Sequence, residues 1–320
     1  MKKISITFIC LIISIFVNAQ NAHNEINQIL NEYIKSSDSE NSGIIVGIID
    51  FKTNQIFIDS KGKISKTNDI RLVCPASKPA ISYMILKENI NVNSTIEKWF
   101  PEKSGYEKSN KITLKMLLSN TSGIPDYVGL IDSSVSCAPQ YTIDVGYKNK
   151  KIIFEPGDSV LYSNTGFNMA GVILEKESSK SVNILIDKYF KKIAPSIRVD
   201  DGKGNYPKGY PNPWPYHYSQ SGFAGGLIGT IEDYLKMMSY IVQQPEYKVM
   251  TDWVIESNGT KWGLGLFGQN DIVMYHGNSG VNYSMLLIIN SKIIYFHTTN
   301  ELDYNRFQNV LNKTIPILIN

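Results

Sequence analysis

The pattern of apolar and polar positions divides the chain into two strand-bearing ends and a helical middle. Near the start, Ile26, Ile29, Leu30, Tyr33 and Ile34 recur at three- and four-residue intervals, which sets them on one face of a helix. Two β-branched runs follow, Gly43 to Asp50 and Gln55 to Asp59, separated by the turn-forming Phe51-Lys52-Thr53-Asn54. Helical spacing returns at Ile81, Met84 and Ile85, and a further helix is predicted from Thr113 through Leu117-Leu118. Gly202 to Gln220 is rich in Gly, Pro, Tyr and Trp and reads as an irregular loop packed by its aromatics. Thr230-Ile231-Glu232-Asp233 then has capping-box spacing, with Asp where Glu is usual, and predicts a helix start. The end returns to strands, Tyr283 to Asn290 and Lys292 to Thr299, joined by a tight turn at Asn290-Ser291. A helix from about Tyr304 to Leu311 closes the chain.

Strands at both ends imply that the ends pair into one sheet. The predicted fold class is α/β in the α+β sense: an antiparallel sheet flanked by helices, built from both chain ends, with an inserted and mainly helical lobe. The sheet lobe is expected over about residues 20–75 and 225–320, and the helical lobe over about 76–224. The cleft between them is the default place for a ligand.

The first residues change the picture of where the protein works. Lys2 and Lys3 precede an apolar run from Ile4 to Val17, and Val17-Asn18-Ala19 ends it as a small-residue cleavage site. That is the layout of a signal peptide over residues 1–19, and the run is short for a membrane span, which needs about 20 apolar residues. Cys10 lies inside the run and not behind it, which argues against a lipid anchor. The expected location is periplasmic or secreted, with no membrane span after cleavage. The chain carries 32 basic and 29 acidic side chains, and cleavage removes two lysines. So balanced a charge gives no electrostatic reason to expect nucleic acid or an anionic membrane as partner. Cys74 and Cys137 are the cysteines left, either as a disulfide or as two buried thiols.

Some motifs are excluded by their context. Gly263-Leu264-Gly265-Leu266-Phe267-Gly268 matches the dinucleotide pattern, but a strand-like Ile272-Val273-Met274 follows where the pyrophosphate needs a helix. These glycines read as a strand with close backbone approach. The four histidines, His23, His217, His276 and His297, are scattered without ligand spacing, and there is no Gly-x-Ser-x-Gly. No metal or other cofactor is expected.

Four segments in order carry the chemistry. They are Arg71-Leu72-Val73-Cys74-Pro75-Ala76-Ser77-Lys78-Pro79, then Ile112 to Pro125 with Ser119-Asn120-Thr121-Ser122-Gly123 at its heart, then Leu161-Tyr162-Ser163-Asn164-Thr165-Gly166 behind Pro156-Gly157, and last Tyr275-His276-Gly277-Asn278. Gly225-Gly226-Leu227-Ile228-Gly229-Thr230 lies between the last two. In this order and setting the chain resembles the serine β-lactamase and DD-peptidase superfamily, penicillin-binding-protein-like and on its class C side, from about Ser42 to the C-terminus.

The resemblance implies a site in which the serine of Ser-x-x-Lys attacks an acyl carbon and the lysine one turn later activates it. Tyr-x-Asn then supplies a proton shuttle and a hold on the substrate amide, and a Lys-Thr-Gly or His-x-Gly strand lines the other wall. Carried over by position, Lys78 matches the lysine, Tyr162 and Asn164 match Tyr-x-Asn, and His276 matches the strand histidine. The serine itself does not carry over, because Pro75 stands three residues before Lys78. Proline has no hydroxyl and no N–H, so that position loses the attacking atom and one oxyanion donor, while the first turn of a helix tolerates proline well. Ser77 projects about 100° away from the neighbouring Lys78 on a helix and is a poor substitute. Cys74, a thiol beside the lost serine with Lys78 nearby, is the alternative nucleophile. Asn278, Val281-Asn282-Tyr283 and Asn120 depart from the family pattern as well. Each retained residue also has a structural reading: Lys78 as an ion-pair partner, Tyr162 as a packed aromatic, His276 as a satisfied edge-strand histidine.

The expectation is an exported β-lactamase-related protein that lacks serine acyl transfer and binds a peptidoglycan-derived or other acyl-peptide ligand in its cleft. Two alternatives stay open. One is an active hydrolase using another nucleophile such as Cys74, or Tyr162 with Lys78. The other is a cell-envelope scaffold with a protein partner and no small ligand.

Overall fold

The computed structural model describes residues 22–37, 41–64, 71–72, 77–132, 134–199, 218–278, 282–299, 301 and 303–319. The expected signal peptide, Cys74, Pro75, Val281 and most of the 202–220 loop lie outside the described residues. Helix α1 (22–35) leads into the hairpin β1 (Gly43–Asp50) and β2 (Gln55–Gly62), followed by the short β3 (Arg71–Leu72). The middle holds α2 (Ser77–Lys87), α3 (Leu114–Leu118), α4 (Pro139–Gly146), α5 (Asn164–Ser178), α6 (Val182–Phe190), β4 (Arg198–Val199), α7 (Gly222–Gly225), β5 (Leu227–Gly229), α8 (Ile231–Val242) and α9 (Pro245–Met250). Strands β6 (Ile255–Ser257), β7 (Thr260–Trp262), β8 (Phe267–Gln269), β9 (Ile272–Asn278), β10 (Tyr283–Ile289) and β11 (Lys292–Thr299) then lead to α10 (Tyr304–Ile319).

One eight-stranded sheet runs in the order β2-β1-β11-β10-β9-β8-β7-β6, so the first hairpin and the last strands share it. The seam is β1 against β11, antiparallel from Gly43↔Thr299 to Asp50↔Lys292. Successive side chains of a strand point to opposite faces, and here both faces are covered. Ile45, Ile49, Tyr275, Leu286, Ile293 and Tyr295 join the core formed with α2, α5 and α8. Ile44, Val46, Leu287, Ile294 and Phe296 pack on the other side with α1 and α10. Double burial explains why β1 reads as an unbroken apolar run without alternation.

Four details differ from the expectations. Strand β2 extends to Gly62, held in register as far as Gly43↔Gly62. The closing helix runs on to Ile319, because Thr314 and Leu318 continue the buried stripe of Phe307, Val310 and Leu311. Pro316 costs that helix one donor, in its last turn, where the ladder is ending anyway. At Thr230 the hydroxyl caps α8 by accepting from Asp233 N, yet the box is not reciprocal. The Asp233 carboxylate instead accepts from Ser196 N at 2.7 Å, since a second chain segment offers a donor that the local backbone does not. Finally, the glycine run forms a turn from Gly263 to Leu266 and becomes strand only at Phe267, although the close backbone approach is present. Among the described residues no helix is long and apolar enough to cross a membrane.

Candidate functional site

Lys78 sits in the first turn of α2, a helix whose residues from Ser77 to Ile85 are all buried. An ammonium at 1% exposure must be compensated by acceptors, and two are supplied. Its Nζ donates to Asn164 Oδ1 at 2.9 Å and to the Ala224 carbonyl at 2.5 Å. Three rings surround the same nitrogen, with centroids 5.1 Å away for Tyr162, 5.3 Å for Phe167 and 5.6 Å for Tyr275. Aromatic faces carry partial negative charge and attract a cation at such distances.

The Tyr-x-Asn segment is placed by the Ser119–Gly123 loop. Asn120 adopts φ +59°, a left-handed conformation that asparagine tolerates better than most residues. From there its carbonyl accepts from Leu161 N at 2.9 Å and its side-chain oxygen accepts from Ser163 N at 3.0 Å. Ser163 caps α5, accepting from Gly166 N at 3.3 Å, so the helix begins at Asn164 and aims that side chain back at Lys78. The Tyr162 hydroxyl donates to Asn164 Oδ1 at 3.2 Å. On its other side Asn164 Nδ2 donates to Asp126 Oδ2 at 2.8 Å, and Val128 N donates to Asp126 Oδ1 at 3.2 Å. Burial pushes the Asp126 carboxyl up from its ordinary value, against the pull of these donors and of the Lys78 charge.

The carbonyl that receives Lys78 is fixed by a residue deeper in the molecule. Asn168, four positions after Asn164 and fully buried, accepts from Phe223 N at 2.8 Å and from Ala224 N at 3.0 Å. Its amide nitrogen donates to Thr142 Oγ1 at 2.7 Å. Asn168 thereby pins α7 against α5 and sets Ala224 O over the lysine.

The structure brings Lys78, Tyr162 and Asn164 together. His276 stands apart from them. On β9 it is Tyr275 that faces the ammonium, so the adjacent His276 projects from the opposite face of the strand. Its cross-strand partner Met285 packs with the α1 and α10 layer, and its own ring meets Phe267 edge-on at 5.5 Å. The surrounding protein desolvates the imidazolium and holds its pKa below the ordinary histidine value, although the side chain is exposed. Ser77 is completely buried and its hydroxyl has no hydrogen-bond partner, so it is removed from any ligand. Cys137 is half-buried, and burial raises its thiol pKa. Asp126, Asn168, Ala224 and Tyr275 were not among the expected site residues. The four-residue step from Asn164 to Asn168 and the strand alternation at Tyr275 were the signals that could have found two of them. Among the described residues no cluster of His, Cys, Asp or Glu is suited to hold a metal ion.

A sheet assembled from both chain ends, with a helix that starts at a buried lysine beneath it and a Tyr-x-Asn from the helical lobe, is the architecture of the penicillin-recognising hydrolases and their relatives. The chain belongs to the Beta-lactamase family, whose sequence profile matches residues 80–313. Penicillin-binding protein 4* of Bacillus subtilis is 32% identical over 126 residues, 36% of this chain and 27% of that protein. Protein flp of Staphylococcus aureus is 24% identical over 268 residues, 73% of this chain and 53% of that protein. The chain thus spans about a quarter to a half of the length of these curated relatives. Among solved structures, the D-amino acid amidase of Ochrobactrum anthropi SV3 complexed with D-phenylalanine superposes with a TM-score of 0.77 at 17% identity, over 94% of this chain and 99% of that one. The D-stereospecific amidohydrolase from Streptomyces sp. gives 0.74 at 18% identity, over 90% and 97%. At these identities the likeness establishes a shared fold.

Proposed function

We propose that this protein keeps the ligand cleft of its family without serine acyl transfer, and that it binds a peptidoglycan-derived or other acyl-peptide ligand outside the cytoplasm. The observation that carries the reading is the pairing of Pro75, three residues before Lys78, with a Lys78–Asn164–Tyr162 cluster that remains hydrogen-bonded. A decayed site has no reason to keep a buried ammonium next to a polar tyrosine and an amide. Loss of the nucleophile removes on the order of a millionfold in rate from a serine hydrolase, and loss of one oxyanion donor about a further hundredfold. Binding can survive both. Two structural neighbours, a D-amino acid amidase and a D-stereospecific amidohydrolase, support a ligand with a D-configured residue, which stem peptides of the cell wall supply.

Intact-mass spectrometry of the mature protein after exposure to a penicillin and to an activated ester tests the proposal, with Pro75→Ser alongside. The expected result is an unmodified wild type and an acylated Pro75→Ser. An adduct on the wild type overturns the proposal, and peptide mapping then assigns the nucleophile, Cys74 first among the alternatives. Silence from both proteins overturns the intact-cleft part and turns attention to a protein partner.

A further inference from the structure

We infer that Asp126 is the residue that fixes the orientation of the Asn164 amide, and so decides which hydrogen-bonding groups the cleft offers to a ligand. An asparagine side chain has a donor end and an acceptor end that differ little in shape, and its neighbours choose between the two orientations. Here the neighbours allow one. The Lys78 ammonium can only donate, and an ionised Asp126 can only accept. With Oδ1 toward Lys78 at 2.9 Å and Nδ2 toward Asp126 at 2.8 Å, both contacts are made. The flipped amide would set N–H against ammonium and oxygen against carboxylate, two repulsive contacts in a desolvated place. The amide dipole therefore bridges a cation and an anion, head to tail.

Two consequences for the cleft follow. The Asn164 oxygen accepts from Lys78 and from Tyr162, so its lone pairs are committed. Of the two hydrogens on Nδ2, one goes to Asp126 and one is left. Asn164 then keeps a single N–H donor for a ligand carbonyl oxygen, the hold on a substrate amide that its family position implies, and the contact with Asp126 is what sets that donor. This part rests on the ligand reading given above; the orientation itself does not. The Asp126 carboxylate serves Val128 N with one oxygen and the Asn164 side-chain amide with the other, and the Asn164 backbone N–H also donates to it. An asparagine at 126 keeps one acceptor atom for these donors, so Asp126→Asn withdraws the anion from the Nδ2 end of the Asn164 amide, while Lys78 and Tyr162 still hold its oxygen. Among the described residues, the charged and titratable groups around the relay are Lys78 from α2, Tyr162 ahead of α5 and Tyr275 from β9.

The test is an acid titration of the Asn164 side-chain amide by nuclear magnetic resonance in the full-length mature protein, with D126N beside it. In the wild type the Asn164 amide protons should shift in one step as Asp126 takes up a proton, and D126N should lack that step. Identical titrations in the two proteins overturn the inference. Should D126N not fold, the wild type decides alone: an Asn164 amide without an acid step overturns the assignment. N-acetyl-D-phenylalanine amide, which carries an acyl-amide carbonyl on a D-configured residue, serves as ligand probe, and its dissociation constant should rise at least tenfold in D126N with circular dichroism unchanged. An unchanged constant overturns the specificity part. If the probe binds neither protein, the ligand reading falls, and the amide titration still settles the role of Asp126.

Discussion

Gly265 lies against the backbone of Lys78. A β-carbon at Gly265 would stand 2.8 Å from the Lys78 carbonyl oxygen and 2.4 Å from Ser82 Oγ. Its N–H donates to Leu118 O at 2.9 Å, so the turn is clamped between α2 and α3, and its φ of +74° is one that side chains resist. The turn that mimics a nucleotide-binding motif is thus a wedge that sets the depth of the lysine helix.

Gly265→Ala should destabilise the protein by about 2–4 kcal/mol, the sum of a left-handed backbone and of overpacking against a carbonyl that cannot yield. Gly259→Ala is the control, because Gly259 has φ +73° with nothing within 4 Å. It should cost only about 1–2 kcal/mol. Urea denaturation of the two variants separates the terms. Equal losses would show that contact with α2 contributes nothing.

Asn168→Ala should cost about 2–4 kcal/mol, because it leaves the buried Phe223 and Ala224 N–H groups without their acceptor. The loss should fall locally as well as globally. Hydrogen exchange at residues 222–226 should quicken more than in the sheet, since α7 is the element that Asn168 holds. Uniform acceleration across the protein would refute the pinning role.

The sequence made the contiguous parts of this site legible and left the convergent ones hidden. Lys78, Tyr162 and Asn164 are found through the family resemblance, because each lies in a short contiguous motif, and the structure sets them at a helix start and beside a helix cap. The whole sheet could be outlined from apolar runs at the two ends. Asp126 and Ala224 belong to loop and short-helix segments without periodicity, and nothing local says that one lies in the field of a lysine 48 positions away or that the other accepts from it across 146 positions. For His276 the motif alone points to the cleft wall. The period-two alternation of β9 was available as a check, and with Tyr275 buried toward Lys78 it directs His276 to the other face.

The histidine has a measurable signature. Its folded pKa is lowered from the ordinary 6.5, so the neutral form is favoured by folding. As pH falls through 6.5 the unfolded chain takes up the proton first, and stability is lost on the acid side. The stability advantage of wild type over His276→Gln should therefore shrink between about pH 7.5 and 5.5. Denaturant midpoints at the two values check this. A difference that grows on acidification would mean that the imidazolium has an acceptor in the folded state.

Asp126 should show the opposite slope. Burial holds its folded carboxyl above the ordinary 3.8, so the native state binds the proton before the unfolded chain does. Stability from this group is fully present below 3.8 and is lost as pH rises through the folded value. Asp126→Asn carries no such titration. Acidification from neutral pH should therefore move the stability of the wild type upward relative to Asp126→Asn, while both fall for reasons that they share. At neutral pH the wild type bears the cost of a desolvated carboxylate and retains the bonds from Val128 and Asn164, which pull in opposite directions. The informative quantity is for that reason the slope of the difference with pH and not its size at one value. Paired urea titrations through the carboxylate range give that slope. A difference that instead moves against the wild type on acidification would mean that the Lys78 charge and the two donors outweigh burial, and that Asp126 is held as an anion by the ammonium across the Asn164 amide.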